Sequence, residues 1–206
     1  MDSRISAIVL AAGMSRRMGA QKLLLPWHGQ TVIGQVVATL LAAGVGDIVV
    51  VTGAQADEVE QALSAYPVRF VRNPLYPNGE MIDSIRAGLS ALGDAVASAG
   101  PGPSRAVAAL LCLGDQPQME VGSVSAVMAA GAARGWASVV IPSYQMHSGH
   151  PILLPASVWP AVMAASTNLR DVLRAEGNRV DYLAVATPSV LADLDTPEDY
   201  RLATTP

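Results

Sequence analysis

Three cations follow a break in an apolar run near the start of the chain. Ile5 to Ala11 is almost wholly apolar, Ala12 and Gly13 then strip away side chains, and Arg16, Arg17 and Lys22 come within ten residues of Gly13. Small residues let a ligand approach the backbone. Exposed amides beside positive side chains suit a polyanion such as a nucleoside triphosphate, because both stabilise phosphate oxygens. Lys22 is the only lysine, and the other twelve basic residues are arginine. A lone ammonium in such a chain fits a need for a compact point charge in place of a planar fork. Neither of the commonest phosphate loops is present: five residues separate Gly13 from Gly19, Leu23 follows Lys22, and G-x-G-x-x-G is missing.

A second apolar run, Val107 to Leu113, ends in Gly-Asp-Gln-Pro, and a third acidic stretch, ADLDTPEDY, spans 192 to 200. A carboxylate leaving the end of a buried strand suits Mg²⁺, which binds a few carboxylates together with substrate phosphates. Asp115 is the first such candidate. Asp193 and Asp195 lie in the last of these stretches, which has strand character up to Asp195. His147 and His150 have H-x-x-H spacing, but Gly149 and Pro151 argue against a helix that would align them, and no third ligand is apparent.

These groups need a scaffold that brings distant segments to one edge. Thr31 to Ala43 carries Val32, Val36, Val37, Leu40 and Leu41 at helical spacing and ends at Gly44. Asp47 to Thr52 reads as a buried strand, Asp57 to Ala65 as a short helix and Val68 to Val71 as a strand. A helix follows Gly79, with Ile82, Ile85, Leu89 and Leu92 on one face. Asp94 to Ser104 is small, Pro/Gly-rich and reads as a mobile surface loop. Glu120 to Arg134 is expected to be helical, Ser138 to Pro142 a strand, and Thr167 to Ala175 a short helix. The last acidic stretch should be strand up to Asp195, followed by a helix opening at Thr196-Pro197. This β-α-β rhythm predicts an α/β fold: one Rossmann-like three-layer domain over 1–206, with a mostly parallel sheet and helices on both faces. Such sheets bind ligands beyond the carboxyl ends of their strands.

Composition narrows the partners. The formal charge of −4 and dispersed arginines give no basic face for nucleic acid. No apolar run approaches the ~18 residues of a membrane span, and the N-terminus has no export signal, so a soluble, cytoplasmic protein is expected. The single cysteine, Cys112, lies in an apolar run and reads as core.

The segment LAAGMSRRMGAQKLLLPWHGQTVI resembles the L-A-A-G-x-S-x-R-M-G-x-x-K-L-L-L-P signature of the molybdenum cofactor cytidylyltransferases, a branch of the MobA-like nucleotidyltransferases. The resemblance implies triphosphate contacts from the Ala11, Ala12 and Gly13 backbone, with Arg17 and Lys22 on phosphate oxygens. NPLYPNGEMIDSIRAGL is similar to the family segment beside the base and sugar, which implies roles for Gly79 and Ser84. The family's G-D-x-P motif implies Mg²⁺ held by Asp115, and its D-x-D-T-P motif a second carboxylate, with Asp195 preferred over Asp193 because it sits nearer the expected strand end. Family members carry an arginine where Ser148 stands in the acceptor segment, and Arg170 is a further possible acceptor contact. The reaction implied is transfer of CMP from CTP to the terminal phosphate of a molybdopterin-type cofactor, with Lys22, Arg17 and Asp115 in catalytic roles and pyrophosphate released. The resemblance also implies a molybdoenzyme or its chaperone as a further partner. Open alternatives are a guanylyl-, sugar-phosphate or isoprenoid-phosphate nucleotidyltransferase, and a non-catalytic chaperone for molybdenum cofactor.

Overall fold

The computed structural model describes residues 5–14, 21–98 and 106–205. In chain order its elements are β1 (Ile5–Ala11), a small hairpin of β2 (Pro26–Trp27) and β3 (Gln30–Thr31), α1 (Val32–Ala42), β4 (Asp47–Thr52), α2 (Ala56–Ala62), β5 (Arg69–Arg72) and α3 (Met81–Ser98). The second half adds β6 (Ala108–Leu113), α4 (Val121–Ala133), β7 (Val139–Tyr144), β8 (His147–Ser148), β9 (Ile152–Pro155), α5 (Trp159–Ala164), α6 (Leu169–Glu176), β10 (Val180–Ala184) and α7 (Pro197–Thr204).

β1, β4 and β6 are apolar on both faces because helices cover both sides of the sheet they form. β1 lies between β4 and β6, parallel to each, with Ile8 level with Val49 on one side and Leu111 on the other. The sheet runs β10-β7-β9-β6-β1-β4-β5, and β8 pairs with β7. On one face, Ile33, Val36, Val37 and Leu40 of α1 and Val124 and Val127 of α4 pack against Ala7, Val9, Val50, Leu110 and Cys112. On the other, Ile82, Ile85 and Leu89 of α3, Val162 of α5 and Val172 of α6 cover Ile8, Val49, Val51 and Leu111. The expected α/β architecture, a mostly parallel sheet between two helical layers, is what the chain forms. No helix among the described residues is long and apolar enough to cross a membrane.

β9 is the exception to parallel pairing: it runs antiparallel between β6 and β7. The chain reaches it through a tight β7–β8 turn, with Gln145 and Met146 at positive φ, and a cis peptide between His150 and Pro151. Two expectations need correction. α3 runs on through residue 98, where a loop from Asp94 was expected, because alanine and valine there continue the helix; the rest of that loop, 99–105, lies outside the described residues. The stretch 192–195 is not a strand. It is irregular backbone tied to the end of β6 by one bond, from Leu194 N to the Asp115 carbonyl at 3.0 Å, and one crossing bond is too few for a ladder.

Candidate active site

Each candidate group comes from the carboxyl end of a central strand or from a segment tied to one. β1 delivers Ala11, Ala12 and Gly13. β6 delivers Asp115 through Gly114, whose N–H bonds the Leu10 carbonyl at 3.0 Å. A Cβ on Gly114 would lie 2.9 Å from that carbonyl, so the absence of a side chain lets the two strand ends come together. Asp195 arrives from the far end of the chain. Leu194 sits in a small cluster with Trp27 and Val32, against which Leu25, Tyr200 and Ala203 pack. Tyr200 also donates its hydroxyl to the Pro26 carbonyl at 2.6 Å. The segment bearing Lys22 and the segment bearing Asp195 are therefore held by one apolar contact.

That assembly brings Lys22, Asp115 and Asp195 into contact, although 173 positions separate the first and last. Lys22 Nζ forms an ion pair with Asp115 Oδ2 and lies 3.2 Å from Asp195 Oδ1. Burial works against the Lys22 charge, yet the hydrogen bond and attraction to Asp115, joined by those to Asp195, hold its pKa above the usual value. Asp193 is a third carboxylate on the same wall. Burial raises its pKa, and the nearby Asp115 and Asp195 charges add to the rise, while a hydrogen bond from Gln116 Nε2 and the Lys22 ammonium oppose it.

The cavity these groups line has a volume of about 580 Å³, large enough for a nucleotide-sized ligand. Ala11, Ala12, Gly13, Lys22, Asp115, Asp193 and Asp195 line one part, and Asn73, Tyr76, Gly79, Glu80, Met81 and Ser84 another. The structure thus gathers all the predicted residues it describes around one cavity: Ala11, Ala12, Gly13, Lys22, Gly79, Ser84, Asp115 and Asp195. Arg17 lies outside the described residues. His147 and Ser148 are exposed on β8, and exposed Arg170, at the start of α6, is not part of the cavity wall.

Sequence reasoning missed two supports. Asn73 accepts from Leu75 N and donates to Ser84 Oγ, each at 2.9 Å, so it fixes the turn that carries Gly79 to the cavity. The Asn-Pro pair was the available signal, since asparagine closes such turns with its side chain. Gln116, third in the Gly-Asp-Gln-Pro stretch, is buried. It donates to Asp193 and, at 3.4 Å, to the Val190 carbonyl, joining the Asp115 turn to the Asp193 segment. His150 stands nearby. Burial lowers its pKa to about 4, against the pull of Asp115, so the imidazole is neutral near pH 7.

Two hard carboxylates gathered about one cation are the donor set a divalent ion of the magnesium type takes, and the ammonium already occupies the position of positive charge between them. The residues fit such an ion. An α/β sheet with a small-residue turn, a lysine and paired carboxylates at its carboxyl edge defines a nucleotide-handling site. The chain belongs to the family of the MobA-like NTP transferase domain, whose model matches residues 7–180.

Among its relatives, nicotine blue oxidoreductase from Paenarthrobacter nicotinovorans is 30% identical over 207 residues, covering 96% of each chain. Molybdenum cofactor cytidylyltransferase from Escherichia coli strain K12 is 26% identical over 211 residues, covering 98% of this chain and 96% of that one. A Mycobacterium tuberculosis H37Rv protein solved in complex with manganese superposes with a TM-score of 0.73 at 26% identity, covering 98% of this chain and all of the other.

Proposed function

We propose that the protein is a Mg²⁺-dependent nucleotidyltransferase that moves CMP from CTP to the terminal phosphate of a molybdopterin-type cofactor and releases pyrophosphate. The observation that carries the reading is the convergence of Lys22, Asp115 and Asp195 on the cavity at the carboxyl edge of β1 and β6. Likeness to the Escherichia coli cytidylyltransferase along nearly the whole chain supports the choice of CTP and acceptor.

In this reading the β1 turn, Ala11 to Gly13, receives the triphosphate through its backbone, and Lys22 stabilises charge on the phosphate oxygens as the pyrophosphate departs. Arg17 carries the second cation of that loop. Gly79, on the turn held by Asn73, and Ser84 would meet the base and ribose. Asp115 and Asp195 would hold the Mg²⁺, which supplies charge neutralisation at the α-phosphate when bound. Alignment of acceptor and donor supplies much of the remaining acceleration. A phosphate acceptor is already ionised near neutral pH, so no general base is required.

The deciding experiment measures pyrophosphate release from CTP and from GTP, each with and without molybdenum cofactor. Release that needs both CTP and the cofactor is expected; release from GTP alone would reassign the base, and none from either would remove the reading. Likeness to nicotine blue oxidoreductase favours a second reading, in which the same cavity serves a redox reaction. Bleaching of nicotine blue by the protein under a supplied reductant, without pyrophosphate release, would select it.

A further inference from the structure

Lys22 touches the two carboxylates that the proposed function assigns to a metal. Its Nζ contacts one oxygen of each, and its side chain is only 14% exposed, so the ammonium is enclosed beside Asp115, while Asp195, 47% exposed, meets it from the rim. A divalent ion of the magnesium type binds carboxylate oxygens at about 2.0–2.1 Å. An ion bridging this pair would need the space and the charge role the ammonium now fills. With Lys22 in place the three groups sum to one negative charge; without it the two carboxylates face each other with a charge of two. The lysine is thus both the clamp that keeps two distant segments together and a competitor for what they bind.

We propose that Lys22 closes the acidic pair against a lone divalent cation, so that metal binds tightly only together with a triphosphate whose oxygens draw the ammonium off the carboxylates. This rests on the reading of Asp115 and Asp195 as the metal pair. It adds an order of binding: metal and nucleotide enter together, and Lys22 exchanges carboxylate partners for phosphate partners as they do. A lysine suits the exchange because its charge rides on a flexible four-carbon stem.

The test is Mn²⁺ binding to the full chain, read from loss of the free-ion electron paramagnetic resonance signal, for wild type, Lys22→Met and Lys22→Arg. It is run without nucleotide and with a non-hydrolysable CTP analogue. Wild type and Lys22→Arg should bind Mn²⁺ weakly alone, and wild type at least roughly tenfold more tightly with the analogue. Lys22→Met should bind Mn²⁺ alone roughly tenfold more tightly than wild type, since a repelling unit charge is gone from a partly buried site. Lys22→Gln, which keeps a polar contact to Asp115, repeats the comparison if the methionine unsettles the loop. Binding by Lys22→Met and Lys22→Gln that is equal to or weaker than wild type would overturn the proposal, because a lysine that was only a strut would let the carboxylates part when lost. Such a result beside metal-dependent pyrophosphate release by wild type leaves the proposed function standing. Tighter Mn²⁺ binding beside no release from any nucleotide leaves only this inference standing.

Discussion

Asp115 and His150 show how much one side chain decides at this edge. Asp115 meets Lys22 through its carboxylate while its backbone carbonyl receives Leu194 N, so charge and position come from one residue. Asp115→Asn keeps the shape and the backbone bond but removes the charge. Metal-dependent pyrophosphate release should fall by about 10²-fold or more while the far-ultraviolet signature of the fold is kept, and undiminished release would remove Asp115 from the reaction. His150 makes a pH prediction. Its folded pKa of about 4 lies below the ordinary 6.5, so between those values the unfolded chain holds a proton that the native imidazole does not. Its contribution to stability is complete above the unfolded value and is lost as pH falls toward the folded one. The urea midpoint should therefore drop less between about pH 7 and about pH 5 in His150→Gln than in wild type. Equal drops would mean that other groups set the acid limb.

At the scale of elements, the β8–β9 passage has a role its short strands conceal. Gly149 N bonds the Pro142 carbonyl at 2.8 Å and His150 N the Val190 carbonyl at 2.9 Å, so this turn is fastened to the segment that leads to Asp193 and Asp195. A Cβ on Gly149 would stand 2.2 Å from Val190 O and 2.9 Å from its Cβ. Gly149→Ala should cost about 1–3 kcal/mol through forced displacement, seen as a lower thermal midpoint, and should reduce turnover further by moving the acidic segment. Turnover reduced no more than folded fraction would show that the displacement stops before Asp193.

Elements with a long regular pattern were legible in the chain itself. The apolar blocks became β1, β4 and β6, and Val32 to Leu40 became α1, because burial on a central sheet leaves an unmixed signal. The antiparallel strands β8 and β9 were not legible, since such short strands carry little period and their course depends on contacts made with β7 and, for β9, β6. The candidate site was legible as motifs at strand ends, and those described now surround one cavity. The pairing of Lys22 with both carboxylates was not, because opposite charges far apart in sequence say nothing of whether they meet.

Across the whole molecule, α7 is the seal. Thr196 and Asp199 form a reciprocal cap at its start, and Tyr200 and Ala203 close over Trp27 and Leu194. A chain stopped after Asp195 keeps every proposed catalytic residue yet loses this cover. It should retain the far-ultraviolet signature of the α/β sheet, shift Trp27 emission to the red, and lose most Mn²⁺-dependent turnover. Full turnover by the shortened chain would show that the Leu194 bond to β6 suffices to hold Asp195.

The contact between Leu194 and Trp27 also sets a time at which the molecule can begin to act. A ribosome that has released β1, the lysine and β6 has released half of the strands of the sheet, and Asp195 has yet to follow. Until α7 emerges as well, the nascent protein lacks the cover that holds Asp195 beside Lys22, so the three charged groups can meet only after that helix has been made.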